Sequence, residues 1–192
     1  MPACTLACFG SGRLFAGIKK PAQDPAQKTA HKFLQEMDRK LTYMQFFRER
    51  FKKYIRIMKS LENYLGKEKL WELLRRASWE ENVELGKRLS SRVTSLEFFS
   101  SAFRNPNGMF PHTMSYEIIG DTEHAFEVRI TECLTEVVFR EAGALEIGHA
   151  SVCHADFALP EGLSIHPPIR LIRNKTLMEG HDCCNHRYVW DG

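Results

Sequence analysis

Apolar residues recur at steps of three and four from about residue 29 to residue 66, which is the spacing of one helix face. Thr29 can cap the start of such a helix, and Gly66 can end it. The pattern therefore predicts one long amphipathic helix. Its apolar positions are Ala30, Phe33, Leu34, Met37, Leu41, Met44, Phe47, Phe51, Tyr54, Ile55, Met58 and Leu61.

The opposite face of this helix is basic. It carries Arg48, Arg50, Lys52, Lys53, Arg56 and Lys59. A methionine and phenylalanine stripe at helical spacing is typical of a core or of a subunit seam. Because the helix is long for so small a chain, we expect a homodimer that forms through it.

Further helices are predicted directly after the long one. Residues 67–77 have an apolar face, and Ser78-Trp79-Glu80-Glu81 matches a capping box that starts another helix running to about residue 92. A fourth helix begins near Thr94 and stops at the turn sequence Asn-Pro-Asn-Gly of residues 105–108.

The hydrophobic period changes after residue 108. Residues 114–119 and 125–130 alternate as strands, 132–142 has a helical pattern, and 169–177 and 184–190 form a second strand pair. The chain is thus predicted to be an α+β protein. An N-terminal helical region with one long amphipathic helix precedes a largely antiparallel sheet with one or two packed helices.

The 192 residues suit one domain with an extension. Glycine and proline in residues 1–27 predict an irregular N-terminal arm. Residues 28–192 then form a single α+β domain, with a helical half at 28–104 and a sheet half at 109–192.

Charge is distributed unevenly although the net charge is only +3. Residues 1–100 hold 20 Lys and Arg against 11 Asp and Glu, and residues 101–192 hold 7 against 13. A basic half can indicate nucleic-acid binding, but here acids are interspersed and no recognition motif is present. A solvated helix surface is the preferred interpretation, so no nucleic-acid partner is expected.

The cysteine pattern and the N-terminus predict a cytoplasmic protein with free thiols. Six cysteines are present, but Cys183 and Cys184 are adjacent, and neighbouring cysteines rarely bridge each other. The first residues lack the charged and apolar regions of a signal peptide, and no run approaches 18 apolar residues. No membrane association is therefore expected.

Residues with reactive side chains concentrate between Cys153 and Tyr188. In a strand, Cys184 and His186 point to the same face and Arg187 to the other. Cys184 is therefore either a nucleophile beside an imidazole or a small buried core residue. Common nucleotide-binding, serine hydrolase and zincin motifs are absent from the sequence.

Asp156 follows Cys153 by three residues within an apolar stretch. If this segment is helical or a tight turn, both side chains point the same way. A carboxylate among apolar residues is either held by backbone hydrogen bonds or adapted for acid–base chemistry. Arg173 lies on a predicted strand, where a bidentate arginine could clamp a small carboxylate substrate.

A metal site is the competing interpretation of the same stretch. Its ligand types suit zinc, but there is no C-x-x-C, and adjacent cysteines on a strand face opposite ways. No cofactor is expected, with zinc as the alternative. The candidate ligands would be Cys153, His154, Asp156, His181, Cys183, Cys184 and His186.

Several short motifs in this stretch resemble the L-2-amino-thiazoline-4-carboxylic acid hydrolase family. They are C-x-x-D-F-A-L from Cys153, R-x-K-T-L-x-x-G from Arg173, and C-N-H-R-Y from Cys184. Thr131-Glu132-Cys133 before a helix and the helical segment 65–78 also fit. The resemblance spans about residues 40–190 and implies a hydrolase-like domain that opens a cyclic C=N bond by adding water.

The resemblance also implies roles for individual residues. Cys184 attacks the amidine-like carbon or polarises the site, and Asp156 moves the proton, with His154 or His186 as alternatives. Arg173 or Arg187 holds the carboxylate of a small-molecule substrate. Thr176 contributes to substrate binding, and Cys153 is a second thiol at the site.

Two other classes of function remain open from the sequence. The layout, with helices before an antiparallel sheet and cysteines near the end, is similar to that of sensor domains. The alternative is therefore a small-molecule or metal-binding sensor module without turnover. A family member whose cysteines are only structural is the third option.

Overall fold

The computed structural model describes residues 41–192. The predicted arm 1–27 and the predicted helix start at Thr29 lie outside these residues. The helices are α1 (Tyr43–Leu65), α2 (Lys67–Leu89), α3 (Glu97–Arg104), α4 (Phe110–Thr113), α5 (Leu134–Glu141), α6 (Leu145–Gly148) and α7 (Ala158–Gly162). The strands are β1 (Met114–Asp121), β2 (Ala125–Cys133), β3 (Arg170–Ile172) and β4 (Cys184–Val189).

Helices come first in this order, and the four strands form one antiparallel sheet in the order β1-β2-β4-β3. The α+β fold expected from the sequence is therefore confirmed. In the described part of the chain, no helix is both long enough and apolar enough to cross a bilayer.

Helix α1 is shorter than the periodicity predicts. It begins at Tyr43 because Thr42 caps it: the Thr42 hydroxyl accepts from the Gln45 amide, and the Gln45 side chain accepts from the Thr42 amide. One continuous helix from residue 29 is thus excluded. The predicted end is confirmed, because Gly66 leaves the helix with φ +80°, a conformation that favours glycine.

The prediction of separate helices at 67–77 and 78–92 is wrong, because α2 runs unbroken from Lys67 to Leu89. Ser78 does not cap a helix. Its hydroxyl donates to the carbonyl oxygens of Arg75 and Ala150, and so bonds back into its own helix and across to its neighbour. Further along the chain, the predicted turn at 105–108 is observed and ends α3.

Strand β3 is also shorter than predicted. It covers three residues, and the chain leaves the sheet at Arg173. The Asn185 side-chain oxygen accepts from the amides of Asn174 and Lys175 and so holds the departing segment against β4. The 3₁₀ turn Leu177–Glu179 follows, capped by Thr176. Arg173 continues the alternation of β3, on the same side as the buried Leu171 and opposite the exposed Ile172, and so points to the interior.

Residues 145–162 form a nearly continuous helical run. Helix α6 passes into the π turn His149–Cys153, then the 3₁₀ turn His154–Phe157, then α7. This run lies against α2, where Gly86 and Gly162 meet. A Cβ at residue 162 would lie 2.1 Å from the Val83 carbonyl oxygen, so the contact requires glycine.

The buried apolar residues form two clusters. The sheet cluster joins α3, α4, β2, β3 and β4 and includes Phe99, Phe103, Phe126, Ile130, Cys184 and Tyr188. The helix cluster joins α1, α2, α5 and α6 and includes Phe47, Phe51, Ile55, Leu70, Phe139 and Met178. The cavity described next is lined by residues of both clusters.

Candidate functional site

A cavity of about 70 Å³ lies between the two clusters. Its walls are mainly aromatic and aliphatic, with Phe47 and Met178 from the helix cluster and Phe103 and Phe110 from the sheet cluster. The reactive groups in its lining are Cys133, Cys153, Asp156, Arg173, Cys184 and His186. Its composition, apolar with a few converging polar groups, is that of a small-molecule site.

Asp156 and Arg173 form a buried ion pair at this cavity. Arg173 Nη1 donates to Asp156 Oδ2 at 2.7 Å, and the two side chains are 3% and 9% exposed. Burial lowers the pKa of Arg173, but the charge of Asp156 and its neighbours outweighs it, so the guanidinium pKa is raised overall. The guanidinium is therefore held in its charged form inside an apolar region.

Two further contacts fix the Arg173 side chain. Its Nη2 donates to the carbonyl oxygen of Cys153 at 2.7 Å, and its guanidinium lies 4.8 Å from the centre of the Phe157 ring. Both Nη atoms are thus engaged by the protein itself. Arg173 consequently ties the departing end of β3 to the helical run 149–157.

That helical run explains how Cys153 and Asp156 come together. The π turn ends at Cys153, and the following 3₁₀ turn places Asp156 three residues later, one turn of such a helix. Both residues line the cavity. Cys153 and Asp156 therefore point to the same side, as expected if their segment is helical or a tight turn.

His186 reaches the cavity by strand alternation in β4. Cys184, His186 and Tyr188 are buried on the inner face of the sheet, whereas Arg187 is exposed. The His186 side chain has its Nε2 atom 3.3 Å from Arg173 Nη1. Burial lowers the pKa of His186 to about 4, so the imidazole is neutral at pH 7.

The three thiols at the cavity carry their protons at neutral pH. Burial raises the pKa of Cys133 to about 11. Burial and the charge of Asp156 raise the pKa of Cys153 well above its ordinary value. Burial also raises the pKa of Cys184, opposed by the Leu177 amide, which donates to its sulfur at 3.2 Å. Attack by any of these sulfurs therefore requires a base.

Cys133 was not among the site residues predicted from the sequence. The only signal for it was the Thr131-Glu132-Cys133 motif before a helix. Cys133 is the last residue of β2, and β2 pairs with β4, with Ile130 opposite Cys184. Cys133 could be placed beside Cys184 only once the pairing of β2 with β4 was known.

The structure also answers which neighbouring cysteine faces the cavity. Cys184 lines it, whereas Cys183 has its sulfur 3.7 Å from Asp182 Oδ1 and is not part of the lining. Thr176 is buried but lies behind the thiols, outside the cavity lining. Its hydroxyl donates to Cys153 Sγ at 3.9 Å and accepts from the Met178 amide.

Arg187 was predicted as an alternative substrate clamp, and the structure places it elsewhere. Alternation in β4 turns it to the outer face of the sheet, where its Nε lies 3.1 Å from Glu127 Oε1. Its side chain is 53% exposed. Of the two predicted arginines, only Arg173 is at the cavity.

The zinc alternative finds no ligand set in residues 41–192, where no three His, Cys, Asp or Glu side chains converge to hold a metal. His154 stands against Trp79, with ring centres 5.4 Å apart, and His181 Nδ1 lies 3.2 Å from the Thr176 amide. The expectation of a cofactor-free protein stays a prediction.

The described chain is thus an α+β protein with a buried cavity that combines thiols with an Asp–Arg–His cluster. The sequence model of the L-2-amino-thiazoline-4-carboxylic acid hydrolase family matches residues 43–188, and the chain belongs to that family. Every reactive residue of the cavity lies inside the match.

Other comparisons add little to this assignment. No curated protein sequence matches the chain. Among solved structures, it is similar to the phenol-responsive sensory domain of the transcription activator PoxR with phenol, at 15% identity and a TM-score of 0.38. That similarity covers 72% of this chain and 75% of the other.

Proposed function

We propose that this protein is a hydrolase that opens a small ring containing a C=N bond next to sulfur, as in a 2-amino-thiazoline carboxylate. Family membership supports hydrolase chemistry. The observation that carries the finer proposal is the convergence of Cys184, Asp156 and Arg173 on one buried cavity. A nucleophile, a proton carrier and a cation are the groups that this ring opening needs.

Asp156 is the proposed base for Cys184. The raised thiol pKa means that Cys184 must lose a proton as it attacks. His186 is neutral and its Nε2 faces the Arg173 guanidinium, so its lone pair is already directed to another group. The Asp156 carboxylate is then the remaining acceptor of the proton among the groups that line the cavity.

Arg173 is proposed to hold the substrate carboxylate, since it is the only arginine or lysine in the cavity lining. In the ligand-free protein Asp156 neutralises it. Proton transfer from the Cys184 thiol to Asp156 neutralises that carboxylate, so the substrate carboxylate can replace it as the partner of Arg173. The negative charge moves to the attacking sulfur and then to the substrate, where the proton from Asp156 neutralises it.

The proposed reaction balances as a net addition of water. The Cys184 sulfur bonds to the carbon between ring sulfur and nitrogen, and its proton passes through Asp156 to the substrate. The ring carbon–sulfur bond then breaks, and the ring sulfur leaves as a thiol. Water attacks the same carbon, the bond to Cys184 breaks, the thiol regains its proton, and a carbamoyl amino acid with a free thiol is released.

One observation favours a second candidate, binding without turnover. The pKa values of Cys133, Cys153 and Cys184 are all raised, so the ligand-free site holds no ready thiolate. A small-molecule sensor would use the same apolar cavity without needing one. The two candidates differ in whether a bound ring is recovered intact.

The test replaces Cys184 by serine and supplies 2-amino-thiazoline-4-carboxylate. The wild-type protein should convert it into a product heavier by one water with a new free thiol, followed by mass spectrometry and a thiol reagent. Cys184→Ser should lower the rate by about a hundredfold or more, because the weaker nucleophile must be deprotonated in the same apolar site. Its melting temperature should stay within a few degrees of wild type.

Cys183→Ser is the matched control, since it changes the neighbouring buried thiol outside the cavity. It should retain most of the activity. Near-normal turnover by Cys184→Ser would remove the nucleophile assignment. A wild-type protein that binds the ring and returns it intact would establish the sensor alternative.

A further inference from the structure

An outer groove lies beside the cavity and shares part of its wall. The groove has a volume of about 710 Å³ and is lined by the start of α1, by β1 and β2, and by α5. Met44, His112, Val137 and Arg140 line the groove but not the cavity. The residues that line both spaces are Thr113, Met114 and Cys133. In the described part of the chain, these three residues therefore form the wall between the groove and the cavity.

Two of these wall residues are held in place. Thr113 is buried, and its hydroxyl donates to the Met109 carbonyl oxygen at 2.9 Å, so rotating its side chain would break a buried hydrogen bond. Cys133 is the last residue of β2, and α5 begins at the next residue, so strand and helix fix its backbone from both sides. Its side chain ends in a single sulfur atom, which leaves little to move out of the way.

Met114 combines a fixed backbone with a side chain that can rotate. Its amide donates to the Phe110 carbonyl oxygen at the end of α4, and it pairs with Cys133 in the register of β1 and β2. Its side chain is only half-buried and packs against the sheet cluster from outside. Methionine is unbranched, with three rotatable bonds, so this side chain can change its course without moving the backbone.

The position of Met114 in the sheet leaves room for that rotation. Strand β1 lies at the edge of the sheet, so only β2 confines it, and the register of the pair shifts directly after Ser115. Elsewhere the cavity is lined by residues such as Phe110, Ile130 and Met178, which are almost fully buried in the two clusters. Opening the cavity there would disturb the core, whereas opening it at Met114 would not.

We infer that a ligand passes from the groove into the cavity by displacing the Met114 side chain, whose bulk decides which rings are admitted. Met114 is then a specificity-determining residue that selects small unsubstituted rings. The groove, with His112, Glu136 and Arg140 in its lining, receives a polar molecule before its ring enters the mainly apolar cavity. The inference rests on the proposed function only in taking the cavity as the site that is used.

The test follows alkylation of the cavity thiols in the full-length protein by N-ethylmaleimide, an uncharged five-membered ring. The thiol adds across the C=C bond of the ring: sulfur bonds to one carbon, and the thiol proton ends on the other. Peptide mass spectrometry measures the rates at Cys153 and Cys184, and at Cys183 in the same sample. Because Cys183 is buried outside the cavity lining, its rate reports unfolding, and the ratio to it isolates access to the cavity.

Two substitutions of Met114 should change this ratio in opposite directions. Met114→Ala removes the obstacle and should raise the ratio for Cys153 and Cys184 about tenfold. Met114→Ile keeps most of the bulk but is stiff at its branched carbon, so the ratio should fall about threefold or more. Met44→Ala, which changes the groove but not the wall, is the matched control and should stay within about twofold of wild type. Unchanged ratios in both Met114 variants, or an equal rise in Met44→Ala, would overturn the inference.

Ring size gives a second readout. N-phenylmaleimide carries the same reactive ring with a bulkier substituent, and relative to Cys183 it should alkylate Cys184 of the wild-type protein more slowly than N-ethylmaleimide does. Met114→Ala should remove most of this discrimination. Equal discrimination in the wild-type protein and in Met114→Ala would contradict a selective role for residue 114.

These outcomes are independent of turnover, since alkylation needs no hydrolysis. Control of alkylation by Met114 in a protein that leaves every cyclic amidine intact would uphold the entry route and remove the hydrolase proposal. Turnover by a protein whose alkylation ratios do not depend on residue 114 would do the opposite.

Discussion

Arg173 and Lys175 lie two residues apart, and each pairs with an aspartate, yet the two pairs lie in different surroundings. The nitrogen–oxygen distances are similar, 2.7 Å for Arg173–Asp156 and 3.0 Å for Lys175–Asp182. The side chains are 3% and 9% exposed in the first pair and 46% and 58% in the second. Distance alone therefore says little about what an ion pair contributes.

The two ion pairs have different roles in the structure. In the inner pair, Arg173–Asp156, the arginine also donates to the Cys153 carbonyl and contacts His186, so this pair fixes the positions of cavity residues. In the outer pair, Lys175–Asp182, the aspartate also pairs with Arg129, whose Nη2 lies 3.3 Å from Asp182 Oδ2 on a solvated surface. Water screens such exposed charges, whereas buried charges depend on their partners.

The largest expected effect comes from breaking the inner pair. Arg173→Met should lower the free energy of unfolding by about 3–5 kcal/mol, because it leaves the Asp156 carboxylate buried without its cation. Urea unfolding at pH 7 measures this. The double variant Asp156→Leu with Arg173→Met should be less destabilised than Arg173→Met alone. A single variant within about 1 kcal/mol of wild type would contradict the comparison.

Lower pH should affect the inner pair's surroundings and not the outer pair's, because the buried His186 contacts Arg173. The pKa of His186 is about 4 in the folded protein, against an ordinary value of 6.5 for histidine, so between these pH values the unfolded chain binds a proton that the folded protein does not. This contribution to stability is present above pH 6.5 and is lost as the pH falls, by about 3 kcal/mol near pH 4.

The measurement is urea unfolding of wild type and His186→Gln at pH 7 and pH 4.5. The gap in unfolding free energy between the two proteins should shrink at the lower pH, because the variant has no imidazole to protonate. The variant His124→Asn, at an exposed turn outside the cavity lining, is the control for replacing a histidine. A gap for His186→Gln that does not change with pH would rule out a buried neutral imidazole.

The smallest effect is expected at the outer pair. Lys175→Met should shift the melting temperature by no more than about 2 °C, because the exposed pair is screened and Asp182 keeps Arg129. Thermal unfolding at low and at high salt measures this. A loss as large as that of Arg173→Met would mean that exposure does not separate the two pairs.

Much of the fold follows from local patterns in the sequence. The helical stripe, the glycine stop at residue 66 and the strand alternation all act within a few neighbours, so periodicity detects them. The break at Ser78 was misjudged because a capping box and a mid-helix serine look alike in sequence. Only the partner of that hydroxyl, the Ala150 carbonyl 72 residues away, decides between them.

The site was only partly predictable for a similar reason. Alternation placed Cys184 and His186 on one face, as observed. The Asp156–Arg173 contact joins residues 17 positions apart, in a 3₁₀ turn and at the end of β3, and no local signal in the sequence indicates such a long-range contact. The sequence suggested Arg173 as a clamp for a substrate carboxylate but gave no sign that Asp156 is its partner in the ligand-free protein.

The π turn at His149–Cys153 has a consequence for how this family can vary in length. Such a turn carries one residue more than an α-helical turn, so it has the geometry of a single-residue insertion. Removing one residue there would restore a regular helix but rotate everything before it by about 100° relative to Asp156. Ile147 of α6, which is buried in the helix cluster, would then face elsewhere, so relatives with a gap in this segment should pack α6 differently.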